Sequence, residues 1–106
     1  MGIAVVGKHW KPLNIALDYD ETFTEDRVFW RSFIILTSAH RHQVTFVTYR
    51  TNDPLDDNSD IELDAKTCGI DIVYSCGKPK RMVFDADIWI DDSPELIGAP
   101  ALFKED

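Results

Sequence analysis

The segment Leu13-Asn14-Ile15-Ala16-Leu17-Asp18-Tyr19-Asp20-Glu21-Thr22 governs the reading of the whole chain. An apolar run leads directly into three polar side chains at alternate positions, Asp18, Asp20 and Thr22. In extended backbone the side chains at i and i+2 point the same way, so the two carboxylates converge beyond the carboxyl end of a strand. Carboxylates that close repel each other unless one is protonated or a divalent cation lies between them. Asp and Thr are also ordinary turn residues. On its own, therefore, the segment marks a strand followed either by an acidic turn or by a site, and the flanking sequence has to decide.

Beyond that segment, Thr24 is the expected cap of a helix from Glu25 to His40, with Glu25 and Asp26 suiting the positive end of its dipole. Val28, Phe29, Phe33, Ile35 and Leu36 give that helix a wide apolar face, and Arg27, Arg31 and Ser38 are expected to face water. His40, Arg41 and His42 fall at its C-terminal end and read as dipole partners and solvated turn residues rather than metal ligands. Val44-Thr45-Phe46-Val47-Thr48 is β-branched and aromatic and predicts a buried parallel strand, ending where Thr48 and Arg50 appear. The polar stretch 51–59 is a loop without the glycine and terminal glutamate of a calcium loop.

Asp60 to Cys68 predicts a short helix with Ile61, Leu63, Ala65 and Cys68 partly inward, stopped by Gly69. Ile70 to Tyr74 follows as a third strand, Ser75 to Pro79 as a turn, and Lys80 to Phe84 as at most one helical turn. Ile88-Trp89-Ile90-Asp91-Asp92 is another apolar strand that closes in carboxylates, and Ser93 with Pro94 opens a last short helix. Ile3 to Val6 is expected as a short strand or arm, and Ala101 to Phe103 as an edge strand. Strands alternating with helices predict an α/β fold, a Rossmann-like three-layer sandwich with a mostly parallel central sheet and helices on both faces. Such sheets bind ligands beyond the carboxyl ends of their strands, where Asp18, Asp20, Thr48, Arg50, Asp91 and Asp92 all fall, with Lys78 in the turn before the last strand.

Composition bounds the function. The 106 residues suit one domain, 1–106, able to bury roughly 65% of its unfolded surface, so a site must lie on the surface of a single core. No apolar run approaches the roughly 18 residues that cross a bilayer, and the start of the chain does not read as a signal peptide, so no membrane association is expected. Cys68 and Cys76 lack metal-ligand spacing and point to a reducing, cytoplasmic setting. The net charge of −8 argues against gripping long nucleic acid by its phosphates.

Four carboxylates, a hydroxyl and a lysine at one rim suit phosphoryl transfer assisted by magnesium. One carboxylate attacks phosphorus, a second protonates the leaving oxygen, and Lys and Thr hold the phosphoryl oxygens around a hard cation. In order and spacing the four segments resemble the motifs of the haloacid dehalogenase superfamily: Leu17-Asp18-Tyr19-Asp20-Glu21-Thr22, Phe46-Val47-Thr48 with Arg50, Gly77-Lys78-Pro79, and Ile88-Trp89-Ile90-Asp91-Asp92. The resemblance spans about residues 13 to 95.

It implies a Mg2+-dependent phosphatase working through an aspartyl-phosphate. Asp18 would be nucleophile and metal ligand, and Asp20 the general acid and base that ligates metal through its carbonyl. Thr22, Thr48, Arg50 and Lys78 would contact substrate, and Asp91 and Asp92 would complete the metal site. Glu21 stands where the family often has glycine, and Lys80 competes with Lys78 for the lysine role. Thr22 runs almost at once into the first helix, which implies a capless form with an open site. Open sites in the family suit large substrates such as nucleic-acid ends or phosphoproteins, or are covered by a second copy of the chain as a homo-oligomer; the acidic surface disfavours long nucleic acid and leaves phosphorylated nucleotides or polymer ends as substrates. Two other classes compete. One is a catalytically idle binding or assembly module of the same fold. The other is a phosphoacceptor receiver-like signalling domain, disfavoured because the strand ending at Thr48 lacks the aspartate such a domain needs.

Overall fold

Four short strands pair side by side, all parallel, in a computed structural model that describes residues 11–98. They are β1 (Asn14–Leu17), β2 (Gln43–Thr48), β3 (Asp71–Tyr74) and β4 (Ile88–Ile90), in the order β3-β2-β1-β4. Two α-helices are present among the described residues, α1 (Arg27–Ala39) and α2 (Ser59–Cys68). Three 3-10 turns, Phe23–Glu25, Lys80–Met82 and Pro94–Leu96, fill connections. The expected strands at Ile3 to Val6 and Ala101 to Phe103 lie outside the described residues.

β1 and β2 are the two middle strands of the sheet, and their apolar, β-branched runs suit buried parallel strands. Register places Leu17 beside Phe46 and Ile90. Ile15, Leu17, Val44 and Phe46 face Ile34 of α1 and Ile61 and Ala65 of α2 in one cluster, so both helices lie on the same side of the sheet. Helices on both faces were expected, but the connection 75–87 from β3 to β4 carries only a 3-10 turn. Gly77 at φ +80° and Pro79 shape the bend ahead of that turn, which spans only Lys80–Met82. The architecture is a parallel α/β sheet consistent with a Rossmann-like fold, with one helical layer among the described residues.

Two details of α1 depart from expectation. Its N-cap is Asp26, whose carboxylate accepts from the Phe29 amide at 3.0 Å, whereas Thr24 Oγ1 accepts from the Glu21 amide at 3.0 Å. The intervening 3-10 turn uses up the residues that would have begun the helix. The helix is also rotated relative to its apolar count. Ile34 is its buried residue, while Val28, Phe29, Ile35 and Leu36 are exposed and Arg27 and Arg31 reach inward to Asp64. α2 ends as expected, with Gly69 left-handed at φ +71° and its amide bonded back to Lys66 O.

Candidate functional site

The chain runs from β1 to β2 and β3 on one side, then returns to place β4 on the other side of β1. The order therefore reverses between β1 and β4, the point at which open parallel sheets bind their ligands. Asp18 follows β1 directly and its amide bonds Ile90 O at 2.9 Å, while Asp91 and Asp92 follow β4. One carboxylate oxygen from each of Asp18, Asp91 and Asp92 lies within 4.8 Å of the others. The sequence puts Asp18, Asp20, Asp91 and Asp92 at one rim, with Asp18 and Asp20 converging; Asp18 instead clusters with Asp91 and Asp92, and the Asp20 carboxylate turns to Arg50.

Lys80 completes the cluster. It is fully buried, and its Nζ donates to Asp18 Oδ1 at 2.8 Å and Asp91 Oδ2 at 2.5 Å. Lys78 is exposed in the preceding turn. The structure thus brings Lys80 into the cluster and leaves Lys78 outside it. The Lys80–Met82 turn is held from behind by the Arg81 amide, which bonds Ile97 O at 2.9 Å. Thr22 Oγ1 donates to Asp18 Oδ2 at 3.0 Å and lies 3.5 Å from Asp92 Oδ1. Asp91 is occupied on both oxygens, since Oδ1 accepts from the Ser93 amide at 2.9 Å. Asp92 is the exposed member.

Burial pushes the Asp18 carboxyl up to about 6; the Lys80 ammonium opposes this, and the neighbouring Asp92 and Asp91 add to it. With Asp18 ionised, three carboxylates face one ammonium, and the cluster is two positive charges short of neutrality. Hard oxygen donors with that deficit fit a divalent cation such as Mg2+.

Asp20 is placed differently. Its side chain is half exposed, and both of its oxygens accept from Arg50, at 2.9 Å from Nε and 2.7 Å from Nη2. Arg50 also donates to both oxygens of Asp60 and to Asn58 Oδ1. Those five bonds use all five guanidinium N–H groups, so none remains for a phosphate oxygen. Thr48 is buried at the end of β2, its Oγ1 accepting from the Arg50 amide at 3.2 Å. Glu21 adopts φ +63°, the left-handed conformation for which glycine is the easier residue.

Two participants escaped the sequence reading. Asp60 sits in a run of acidic residues that reads as solvated surface, and nothing local marks it as the second partner of Arg50. Asp64 sits in the same run yet is buried, accepting from Tyr19 Oη at 2.5 Å, Arg27 Nε at 3.0 Å and Arg31 Nη2 at 3.2 Å. Its helical spacing from Ile61 and Cys68 was the available signal.

Comparison of the chain with protein-family models, with characterised proteins and with solved structures returns no match. The functional reading therefore rests on the site's own chemistry. Among the described residues no helix is long and apolar enough to cross a membrane.

Proposed function

We propose that this chain is a Mg2+-dependent phosphatase of the haloacid dehalogenase kind, cleaving phosphate monoesters through an aspartyl-phosphate on Asp18. The observation that carries the reading is a buried Asp18 at the reversal point of the sheet, paired with the buried Lys80 and flanked by Asp91 and Asp92. A lone acidic turn has no use for a buried lysine.

In this reading a carboxylate oxygen of Asp18 attacks phosphorus. The P–O bond to Asp18 forms as the bond to the ester oxygen breaks, and Asp20 gives that oxygen a proton. Water then attacks phosphorus and passes a proton to Asp20; the P–O bond to Asp18 breaks, releasing inorganic phosphate and restoring the carboxylate. Asp18 and Asp92 would hold Mg2+, with Asp91 beside them and the Asp20 carbonyl available, and the cation supplies positive charge that lets two anions meet. Lys80 rather than Lys78 takes the lysine role, keeping Asp18 oriented and offsetting the charge that builds on the phosphoryl group. Thr22 and Thr48 line the phosphoryl pocket. Arg50, its donors committed, acts elsewhere than on phosphate.

Asp20 and Asp92 are exposed, so an ester meets an open rim. Few contacts beyond the phosphate can then discriminate between esters, which suits a nucleotide or polymer end more than one small metabolite. The test is magnesium-dependent hydrolysis of a chromogenic aryl phosphate, with Asp18→Asn as control. Turnover that needs Mg2+ and vanishes in Asp18→Asn is the expected result. Undiminished turnover in Asp18→Asn removes Asp18 from the chemistry.

A further inference from the structure

Arg50 meets its two carboxylates along two different edges. The edge formed by Nε and Nη2 holds Asp20, at 2.9 and 2.7 Å, and the edge formed by Nη1 and Nη2 holds Asp60, at 2.8 and 2.9 Å. Each contact is bidentate, the arrangement that fixes both the distance and the plane of a carboxylate. The guanidinium is further confined by the Tyr19 ring, with its carbon 5.2 Å from the ring centroid, and by Asn58, whose Nδ2 is itself tied to Thr51 O at 2.9 Å. The anchor comes from elements other than the one that carries Asp20. Arg50 follows β2, and Asp60 lies in the first turn of α2.

We infer that Asp60 and Arg50 form a positioning pair for Asp20, with Asp60 serving as the permanent counter-ion that keeps the Arg50 fork aimed at Asp20 throughout proton transfer. The inference rests on the phosphatase reading for the role of Asp20. A guanidinium paired with Asp20 alone would lose its partner's charge each time Asp20 took up a proton, and would be free to turn toward solvent or toward the phosphate. With Asp60 on the second edge, Arg50 keeps one full ion pair in either state of Asp20. Asp20 can then gain and give up a proton without losing its orientation. The Arg50 bonds also hold the Asp60 carboxyl down to about 2, so this counter-ion stays charged across the working range of pH.

The experiment uses the full chain and two esters, an aryl phosphate with a good leaving group and an alkyl phosphate with a poor one. Help from a proton donor matters most when the leaving oxygen is basic. Asp60→Asn and Arg50→Lys should therefore lower kcat on the alkyl ester about tenfold or more while changing the aryl ester less than about threefold. In Arg50→Ala, added guanidinium ion should restore part of the alkyl-ester turnover. Equal losses on both esters, or no loss on either, overturn the inference, because a merely structural pair would not separate the two substrates. A second readout does not need turnover. Scalar couplings across the Asp20 Cα–Cβ bond should report one rotamer in the parent chain and an average over several in Asp60→Asn. A parent Asp20 already averaged overturns the positioning claim. A fixed Asp20 that Asp60→Asn releases, in a chain that hydrolyses neither ester, upholds the positioning and sinks the phosphatase reading, and with it the proton-transfer role.

Discussion

Lys80 has no exposed surface, and removing an ammonium from water is costly unless carboxylates stand against it. Asp18 and Asp91 do so here, which makes Lys80 a structural residue, and on the proposed reading a chemical one as well. Lys80→Met keeps most of the volume and removes the charge, leaving two carboxylates to face each other. It should destabilise the fold by about 3 kcal/mol in urea unfolding and abolish ester hydrolysis. Lys78→Ala, at an exposed position, should change stability by about 0.5 kcal/mol or less and leave turnover nearly intact. Comparable losses in the two variants would return the assignment to the ambiguity that the sequence contains. That ambiguity has a physical origin. Both lysines flank Pro79, and Pro79 favours extended geometry at Lys78, which made Lys78 the easier residue to aim. What brings Lys80 rather than Lys78 into the cluster is the 3-10 turn that begins at Lys80 and is held by Ile97. Asp60 supports a separate prediction at this scale. Its folded carboxyl, held at about 2 by Arg50, lies below the unfolded value, so its contribution is present above about pH 4 and disappears as pH falls through about 2. Asp60→Asn should therefore flatten that part of the acid unfolding curve, measured by circular dichroism; an unchanged curve would show that the ion pair adds nothing to stability.

At the scale of elements, the least readable feature was which side of α1 faces the sheet. Apolar residues occur nearly all the way round that helix, so counting them favours Val28, Phe29, Phe33, Ile35 and Leu36, of which only Phe33 packs on the core. The inward face is set instead by Trp30, Phe33 and Ile34 packing on the core, and by Arg27 and Arg31 closing on Asp64 of α2. Burial pushes the Asp64 carboxyl up, but the bonds from Tyr19 and Arg27 outweigh it and hold it below the usual range. Tyr19 joins this network to the strand end that carries Asp18, and its ring stacks with Phe23 and meets Phe46 edge-on. Asp64→Ala should cost about 2 kcal/mol, because it leaves a buried phenol and two guanidinium groups without their acceptor. Tyr19→Phe should cost about 1 kcal/mol, since Arg27 and Arg31 still satisfy Asp64. The reverse order in denaturant titrations would place the weight of the network on the phenol rather than on the carboxylate. By contrast, β1, β2 and β4 were legible from short apolar runs ending in polar residues, and the stop of α2 was legible from Gly69.

At the scale of the molecule, the strand order was beyond the sequence, because a run of alternating strands and helices does not say on which side of β1 the last strand will pair. That order is what gathers Asp18, Asp91 and Asp92, so the cation binding proposed above would be a property of the whole fold. The Asp18 carboxyl lies near 6 when folded, chiefly through burial, against 3.8 as the ordinary value. The folded chain thus holds this proton more tightly than the unfolded one, so without a cation the Asp18 contribution to stability falls as pH rises from about 4 through about 6. On the proposed reading a divalent cation would compete with that proton and bind the folded cluster in preference to the unfolded chain. Saturating Mg2+ should accordingly raise the melting temperature strongly above about pH 7 and little near pH 5. At a hundredfold excess over Kd the gain is about 2.7 kcal/mol, or roughly 10 °C for a chain of this size. Asp92→Asn should remove most of that gain, because Asp92 is the exposed carboxylate of the cluster, and Asp91→Asn should remove less, because Lys80 and Ser93 already occupy its oxygens. Thermal melts of the three chains at both pH values, with Mg2+ and with chelator, check this. A shift of equal size at both pH values would place the cation away from Asp18, and a larger effect of Asp91→Asn would exchange the roles of the two aspartates.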